Sequence, residues 1–208
     1  HETTQKPALY DEALTQELGF ADRFNVLFAG TMGVMQGLDT VLEAAFLCSA
    51  QAPNVQFVLM GDGIDRARLE ALVMERGLSN VKFLPRQAPE DMGRFYALAD
   101  ALLVHLKDDP LFRITIPSKT GAYLYMGKPI IMAMQGDAAD LVRQAGAGLF
   151  CPPQDPAALA ETVVKLVAMP AAERERLGHA GAQFYTENLS MRAGVARFEQ
   201  RMQILAEA

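Results

Sequence analysis

The sequence predicts a single doubly wound α/β domain, in which helices cover both faces of a mostly parallel six-stranded sheet. Along its 208 residues, short apolar segments alternate with helical segments of about 10–15 residues, the pattern of right-handed βαβ units. The apolar segments do not alternate between apolar and polar residues, as expected of central parallel strands buried on both faces. No Pro-, Gly- or Ser-rich linker divides the chain.

Six apolar segments are predicted to be strands, because each is short and lies close to turn-forming residues. They span residues 25–30, 54–61, 81–84, 101–104, 129–132 and 148–150. Helices are predicted where apolar residues recur every three or four positions. They span residues 36–50, 65–77, 89–99, 118–126, 138–144, 155–169, 171–188 and 191–207. The helix over 155–169 has the clearest start, because Pro156 occupies its first position.

Composition excludes some classes of function. Nineteen basic and 25 acidic residues give a formal net charge of −6, the reverse of what binding nucleic acid by bulk electrostatics requires. A small phosphorylated ligand is compatible with this charge, because a local cluster of donors holds it. Cys48, Cys151 and the three histidines lack the spacing of a disulfide scaffold or a metal site. We therefore expect a soluble protein of a reducing compartment without a metal.

The loops that follow the strands are the expected ligand site, because ligands of open parallel sheets bind beyond the carboxyl ends of the strands. The first such loop, residues 30–37, contains Gly30, Gly33 and Gly37. Glycine allows close backbone approach, and the next helix offers free N–H groups to an anion. The loop matches neither a dinucleotide fingerprint nor a P-loop. It predicts either phosphate contact or a tight turn that needs glycine only for its shape.

The next two loops give weaker signals. Gly61 and Gly63 follow the second strand, and they predict either ligand contact or a turn that caps the next helix. Arg66 stands where a dinucleotide fingerprint has a small residue, which argues against NAD. Arg86 follows the third strand and either faces the cleft or is solvated.

The loop after the fourth strand is the richest in chemistry. It is about twelve residues long, where two to six are usual, and long loops in compact domains are commonly functional. It ends at Pro117, after which Ser118, Lys119 and Thr120 open a helix. Hydroxyls, free N–H groups and an ammonium then lie together, which suits a diphosphate.

Three other residues of this loop have alternative interpretations. His105 could act as a base, but a structural role at the end of a strand is the preferred interpretation. Asp108 and Asp109 are adjacent, which suggests Mg²⁺ ligands but is more typical of a solvated turn.

These segments come in an order and at intervals that resemble a known family. The resemblance is carried by residues 28–44, 61–63, 81–84, 99–104, 105–113 and 116–130. They resemble the C-terminal half of bacterial glycosyltransferases of family 4, which have the GT-B fold. Within that family, the WbuB-like, N-acetylfucosaminyl type of O-antigen and capsule enzyme is the most similar. The resemblance extends over about residues 20–205 and implies a Rossmann-like domain that binds a sugar nucleotide.

The resemblance implies roles for individual residues. Gly30 and Gly33 would line the donor phosphates, the loop at Arg86 would meet the base, and Ser118 with Lys119 would hold the diphosphate or ribose. The full set of expected donor-binding residues is Gly30, Thr31, Gly33, Gln36, Gly63, Arg86, Lys107, Arg113, Pro117, Ser118, Lys119 and Thr120. The implied chemistry is retaining sugar transfer without cofactor or metal, in which fixed donors stabilise the leaving diphosphate. No catalytic residue is assigned.

The sequence departs from the family at two places. Where many members have a basic pair after the first strand, this chain has Thr31 and Gln36. Where they have two glutamates separated by seven residues, it has Ile114 and Ala122. We expect Lys107, Arg113 and Lys119 to supply the positive charge instead.

The resemblance also predicts how the chain is organised. Residues 1–20 would lead in from a missing N-terminal acceptor domain, 21–190 would bind the donor, and helix 191–208 would cross back to the missing half. The start at a histidine, without methionine, agrees with a fragment. We expect UDP-sugar as donor and a glycan or lipid-linked acceptor in surface polysaccharide synthesis. We also expect a cytoplasmic location, peripheral on the inner face of the membrane in the full-length protein, and no nucleic-acid partner.

Two other functions remain open from the sequence. The chain could be half of a GT-B sugar-nucleotide epimerase, which would need a histidine or carboxylates in the cleft. It could also be a non-catalytic nucleotide-binding or interaction module, which the missing basic pair and glutamates would favour.

Overall fold

A computed structural model describes residues 8–206. The strands are β1 (Phe24–Ala29), β2 (Val55–Met60), β3 (Val81–Leu84), β4 (Ala101–His105), β5 (Ile130–Ala133) and β6 (Gly148–Phe150). The helices are α1 (Glu12–Glu17), α2 (Leu38–Gln51), α3 (Arg66–Glu75), α4 (Met92–Leu98), α5 (Pro110–Arg113), α6 (Ser118–Met126), α7 (Asp137–Ala145), α8 (Pro156–Ala168), α9 (Ala171–Asn188) and α10 (Met191–Ala206). Residues 1–7 of the predicted lead-in and 207–208 of the predicted final helix lie outside the described residues.

The six strands form one sheet in the order β3-β2-β1-β4-β5-β6. Every neighbouring pair in this sheet is parallel, so the predicted doubly wound α/β fold is confirmed and the sheet is more regular than the mostly parallel one expected. The strand order reverses between β1 and β4. This point is where a sheet of this kind leaves a crevice for a ligand.

The core consists of two apolar layers, one on each face of the sheet. Residues of β1 alternate between the layers: Val26 and Phe28 face α2, α3 and α8, whereas Leu27 and Ala29 face α4, α6, α7 and α9. All six residues of β1 are buried. Burial on both faces explains why the sequence of β1 is apolar without alternation.

The main differences from the predicted elements are two short helices. Helix α1 lies in the polar lead-in and begins where the Asp11 side chain accepts the N–H of Leu14 (3.0 Å). Helix α5 lies inside the long loop, with Asp109 as its N-cap and Pro110 in its first turn. Each is too short to produce a helical period in the sequence. The helix predicted from residue 89 begins only at Met92.

The last helix, α10, lies on the surface and buries none of its side chains. Its exposed apolar residues are Met191, Val195, Phe198, Met202, Ile204 and Leu205. All but Ile204 recur at intervals of three and four residues and so form one stripe along the helix, here called the α10 stripe. In residues 8–206, no helix is both long enough and apolar enough to cross a membrane.

Candidate active site

The candidate site begins where β1 and β4 stop pairing. All six residues of β1 pair with β2, but the ladder to β4 contains only Val26 with Ala101 and Leu27 with Leu102. Beyond this ladder, the N–H of Ala29 donates to the hydroxyl of Tyr123 in α6 (3.0 Å). Helix α6 therefore occupies the opening between the two strands. Its first turn, one turn before Tyr123, lies at their carboxyl ends.

That first turn carries Lys119, whose ammonium points into the crevice against β1. Its Nζ lies 3.8 Å from the centroid of the Phe28 ring, a cation–π contact. A Cβ on Gly30 would lie only 2.8 Å from this Nζ, so the glycine leaves the space that the ammonium occupies. Burial lowers the pKa of Lys119 to about 7, and no carboxylate among the described residues offsets the cost of its charge. A cation at a helix N-terminus without an acidic partner suits an anionic ligand.

The loop after β1 satisfies some of its own backbone groups. The side-chain oxygen of Gln36 accepts the N–H of Gly33 (3.0 Å), so the Gln36 side chain turns back into the loop. The N–H of Lys107, just past β4, donates to the carbonyl of Met35 (3.0 Å). The loops on the two sides of the crevice are thus bonded to each other. Thr31, in the loop after β1, is exposed.

The loop after β2 supports the loop after β1 through backbone contacts. A Cβ on Gly61 would collide with the carbonyl oxygen of Gly30, and a Cβ on Gly63 would collide with that of Met32. The close packing of these two loops is a sufficient reason for both glycines, and donor contact by Gly63 stays a prediction. Arg66 is the residue that does not fit a dinucleotide fingerprint. Its guanidinium donates to the carbonyl of Gly61 (2.6 Å) and so holds the loop after β2 from outside.

In the loop after β4, Asp108, Asp109 and Arg113 form their contacts within the loop. The guanidinium of Arg113 lies 3.0 Å from the Asp108 carboxylate, with both side chains exposed, and Asp109 accepts the N–H of Leu111 (2.8 Å) as the cap of α5. The cap by Asp109 agrees with the interpretation of the two aspartates as a turn, and whether they bind Mg²⁺ stays untested. Gly136, after β5, packs against the backbone carbonyl of Arg113 and fixes the end of the loop. In the described part of the chain, no three His, Cys, Asp or Glu residues are placed to hold a metal ion.

A cavity of about 370 Å³ adjoins this loop, at the carboxyl ends of β5 and β6. Its walls include Gly136, Arg143, Phe150 and Cys151. The Arg143 guanidinium stacks on the Phe150 ring at 4.6 Å from the centroid. The cavity lies beside the crevice and does not include Lys119.

The structure brings some of the expected donor-binding residues together and leaves others apart. Those in or beside the crevice between β1 and β4 are Gly30, Thr31, Gly33, Gln36, Lys107, Pro117, Ser118 and Lys119. The side chain of Thr120 is fully buried, and its hydroxyl has no hydrogen-bond partner among the described residues. Arg86 is exposed beyond the edge strand β3, with β2 between it and β1.

Sequence reasoning missed two residues that shape the crevice. In the sequence, Phe28 and Tyr123 look like ordinary core residues. Only the fold shows that Phe28 lies beneath the Lys119 ammonium and that the Tyr123 hydroxyl lies in the gap between β1 and β4. A weak signal existed for Tyr123, because it lies one helical turn after Lys119. His105 is 1% exposed, and its Nδ1 lies 2.6 Å from the carbonyl oxygen of Gln36. Its place at the end of β4 agrees with the preferred structural interpretation.

Comparison with known families identifies the domain. The family model described as "Glycosyl transferases group 1" matches residues 23–169, which include every strand. The chain belongs to the group 1 glycosyl transferases. The matched segment contains the first turn of α6 and the loops on both sides of the crevice.

Two bacterial relatives are named as glycosyltransferases. WbjE of Pseudomonas aeruginosa is 29% identical over 140 residues, which cover 65% of this chain and 34% of WbjE. WcaI of Escherichia coli, named as a colanic acid biosynthesis glycosyl transferase, is 32% identical over 117 residues, which cover 56% of this chain and 28% of WcaI. The group 1 chain thus matches about a third of the length of these relatives.

A solved structure with the same fold is Anabaena HepE in complex with UDP-glucose. It superimposes with a TM-score of 0.75 at 20% identity and covers 94% of this chain but 52% of HepE. The likeness confirms the fold as the C-terminal, Rossmann-like half of a GT-B glycosyltransferase. The WbuB-like subtype within the family stays a prediction.

Proposed function

We propose that this group 1 domain binds the nucleotide-diphosphate sugar donor of a glycosyltransferase, with the diphosphate at the first turn of α6. The observation that carries the proposal is the Lys119 ammonium, held over Phe28 between the ends of β1 and β4 without an acidic partner in the described chain. A diphosphate would supply the missing negative charge. The free N–H groups of the α6 start would add donors to the same oxygens.

The remaining donor contacts follow from the direction of the sheet. With the diphosphate at β1 and β4, the nucleoside would extend over β2 toward the loop at Arg86. HepE, which has the same fold, is named as a complex with UDP-glucose, and this supports a uridine nucleotide here. We propose a retaining transfer in which Lys119 and the α6 dipole stabilise the departing diphosphate, and no residue of this chain is assigned as a base or nucleophile.

The acceptor would be bound outside this domain. We propose that residues 21–190 hold the donor, that a second half supplies the acceptor site, and that the α10 stripe packs against that half. The colanic acid pathway in the name of WcaI supports an acceptor in surface polysaccharide synthesis, glycan or lipid-linked. On this proposal, the present chain binds a donor and transfers nothing.

A non-catalytic nucleotide-binding module is the second candidate. It is favoured by Ile114 and Ala122, which stand where the family has glutamates. It is also favoured by Gln36, whose side-chain oxygen accepts the N–H of Gly33 and so takes a donor that a phosphate would otherwise use. The structure gives no support to the epimerase alternative, which needs acid and base groups in the cleft, because the Asp108 carboxylate is paired with Arg113 and that of Asp109 caps α5.

Calorimetric titration of this chain with UDP, UDP-glucose, GDP and NAD tests the proposal. We expect saturable binding of UDP and UDP-glucose and none of NAD. Lys119→Met should weaken UDP binding by about 10- to 100-fold, because a hydrogen bond to a charged group is worth about 1.5–3 kcal/mol. Lys165→Met removes an exposed lysine from α8 and should leave the affinity unchanged.

The outcomes separate the candidates. GDP preference would change the base and keep the diphosphate site. Equal binding by Lys119→Met and the wild-type chain would refute the site at α6. If UDP-glucose binds but the protein with both halves turns over no nucleotide sugar, the non-catalytic module is the correct function.

A further inference from the structure

His105 holds the loop after β1 by a side-chain hydrogen bond across the crevice. Its imidazole lies at the end of β4, and its Nδ1 is 2.6 Å from the carbonyl oxygen of Gln36. A carbonyl only accepts hydrogen bonds, so the proton must be on Nδ1 and the neutral ring leaves a lone pair on Nε2. That Nε2 is buried and has no hydrogen-bond partner among the described residues.

The Gln36 carbonyl lies at the turn that leads into α2. Gly37, the next residue, has a φ of +59° and is the N-cap of that helix. A Cβ on Gly37 would lie 3.1 Å from both the His105 Cε1 and the Lys107 Cγ, so the imidazole fills the space beneath this turn. With the bond from the Lys107 N–H to the carbonyl of Met35, the end of β4 holds two successive carbonyls of the loop.

The surroundings of His105 favour its neutral form. Burial lowers the pKa of His105, the Gln36 carbonyl opposes this shift, and the nearby Lys119 ammonium lowers the pKa further. Lys107, also a cation, packs at this turn, and its charge helps to lower the pKa of Asp39 in the first turn of α2. A neutral donor therefore holds the carbonyl without adding a further positive charge.

We infer that His105 is a positioning residue for the donor: through the Gln36 carbonyl it holds the β1 loop, and with it the start of α2, in the conformation that meets the diphosphate. The inference rests on the proposed donor site. It assigns His105 no contact with the donor, because its side chain is buried beneath the loop. The effect of removing it is on affinity, through the shape of residues 33–37.

Two substitutions separate the hydrogen bond from the rest of the imidazole. His105→Leu keeps comparable bulk and removes the donor, whereas the amide of His105→Asn can still donate to the Gln36 carbonyl. We expect His105→Leu to weaken UDP-glucose binding about five- to tenfold, the value of one neutral hydrogen bond, and His105→Asn to recover most of the loss. His179→Asn is the matched control, because His179 is exposed on α9. Its affinity should equal that of the wild-type chain.

The outcomes distinguish this inference from the proposed function. A folded His105→Leu protein that binds UDP-glucose as well as the wild-type chain would overturn the role of His105 alone. A wild-type chain that binds no nucleotide sugar would overturn both proposals. If both variants fail to fold, nitrogen NMR of the wild-type histidine decides. The Nδ1–H tautomer, with a proton that exchanges more slowly when UDP-glucose is bound, supports the inference, and the Nε2–H tautomer or no change on binding overturns it.

Discussion

Lys119 lies in an environment that disfavours its own charge in the absence of a ligand. The ammonium is half-buried over an aromatic ring, and the Phe28 face offsets only part of the hydration that it loses. Such a residue reduces the stability of the fold and gains a compensating interaction when an anion binds. Stability and donor affinity should therefore respond in opposite directions to its removal.

We predict that Lys119→Met raises the stability of the chain most at low pH. The folded pKa of Lys119, about 7, is below its ordinary value of 10.5, so the unfolded chain binds more protons between these values. The penalty is complete below pH 7 and disappears as the pH approaches 10.5. At about pH 6.5 the variant should melt several degrees above the wild-type chain, because the substitution removes a buried charge that the folded state disfavours. Calorimetric melting at about pH 6.5 and pH 8.5 checks this, and a pH-independent difference would contradict it.

At the scale of single residues, the sequence predicts that Lys119 belongs to the site, but it does not predict which side chains surround Lys119. The start Pro117-Ser118-Lys119 is recognisable because hydroxyls and an ammonium open a helix after a long loop. The positions of Phe28 and Tyr123 depend on the gap between β1 and β4, which no local pattern encodes. The same holds for Gln36, because only the fold shows that its side-chain oxygen accepts a hydrogen bond from the N–H of Gly33.

Among the elements, the loops after β1 and β2 form one packed unit. Gly61 and Gly63 let the second loop lie against the backbone of the first, and the N–H of Met32 donates to the carbonyl of Asp62 (2.8 Å). The contact between these two loops is therefore made by backbone against backbone. Its geometry depends on the absence of a Cβ at these two positions.

We predict that Gly61→Ala is strongly destabilising and Gly146→Ala only mildly so. Both residues have positive φ, +144° and +61°, but a Cβ on Gly61 meets the Gly30 carbonyl while one on Gly146 meets nothing. Gly146→Ala should cost about 1 kcal/mol of backbone strain. Gly61→Ala should cost about 3 kcal/mol or more, because the loop must also move. Urea unfolding measures both, and equal losses would contradict the role of the collision.

The elements themselves are largely predictable. The strands over 81–84 and 148–150 and the helices over 118–126 and 171–188 match the predicted ranges, because apolar period and Gly or Pro boundaries agree there. Helices α1 and α5 were missed because their signal is a cap and not a period: Asp11 and Asp109 each accept a backbone N–H. Tertiary packing, through the buried Thr15, accounts for the rest of α1.

For the molecule as a whole, α10 is the element least connected to the core. It buries no side chain, and the Arg197 guanidinium holds it to α9 through the carbonyl of Asn188 (3.0 Å). The α10 stripe is exposed in this chain. The fold and the crevice are complete without it.

We predict that deleting residues 191–208 leaves both the melting temperature and the UDP affinity within experimental error. The deletion removes the α10 stripe, so binding of a hydrophobic dye should fall. Melting, calorimetry and dye fluorescence on the two chains test this. A large loss of stability would show that α10 contributes to the core.

The short ladder between β1 and β4 has a mechanical consequence. Two residue pairs join one three-stranded half of the sheet to the other, whereas β1 and β2 share six. The sheet is therefore most compliant along this seam. Hydrogen bonds connect its two sides instead: one from Ala29 to the Tyr123 hydroxyl, and others from the end of β4 to the loop after β1. A ligand that contacts both sides of the seam adds stiffness where the backbone supplies least. On the proposed function, a nucleotide bound across this seam would therefore also make the sheet more rigid.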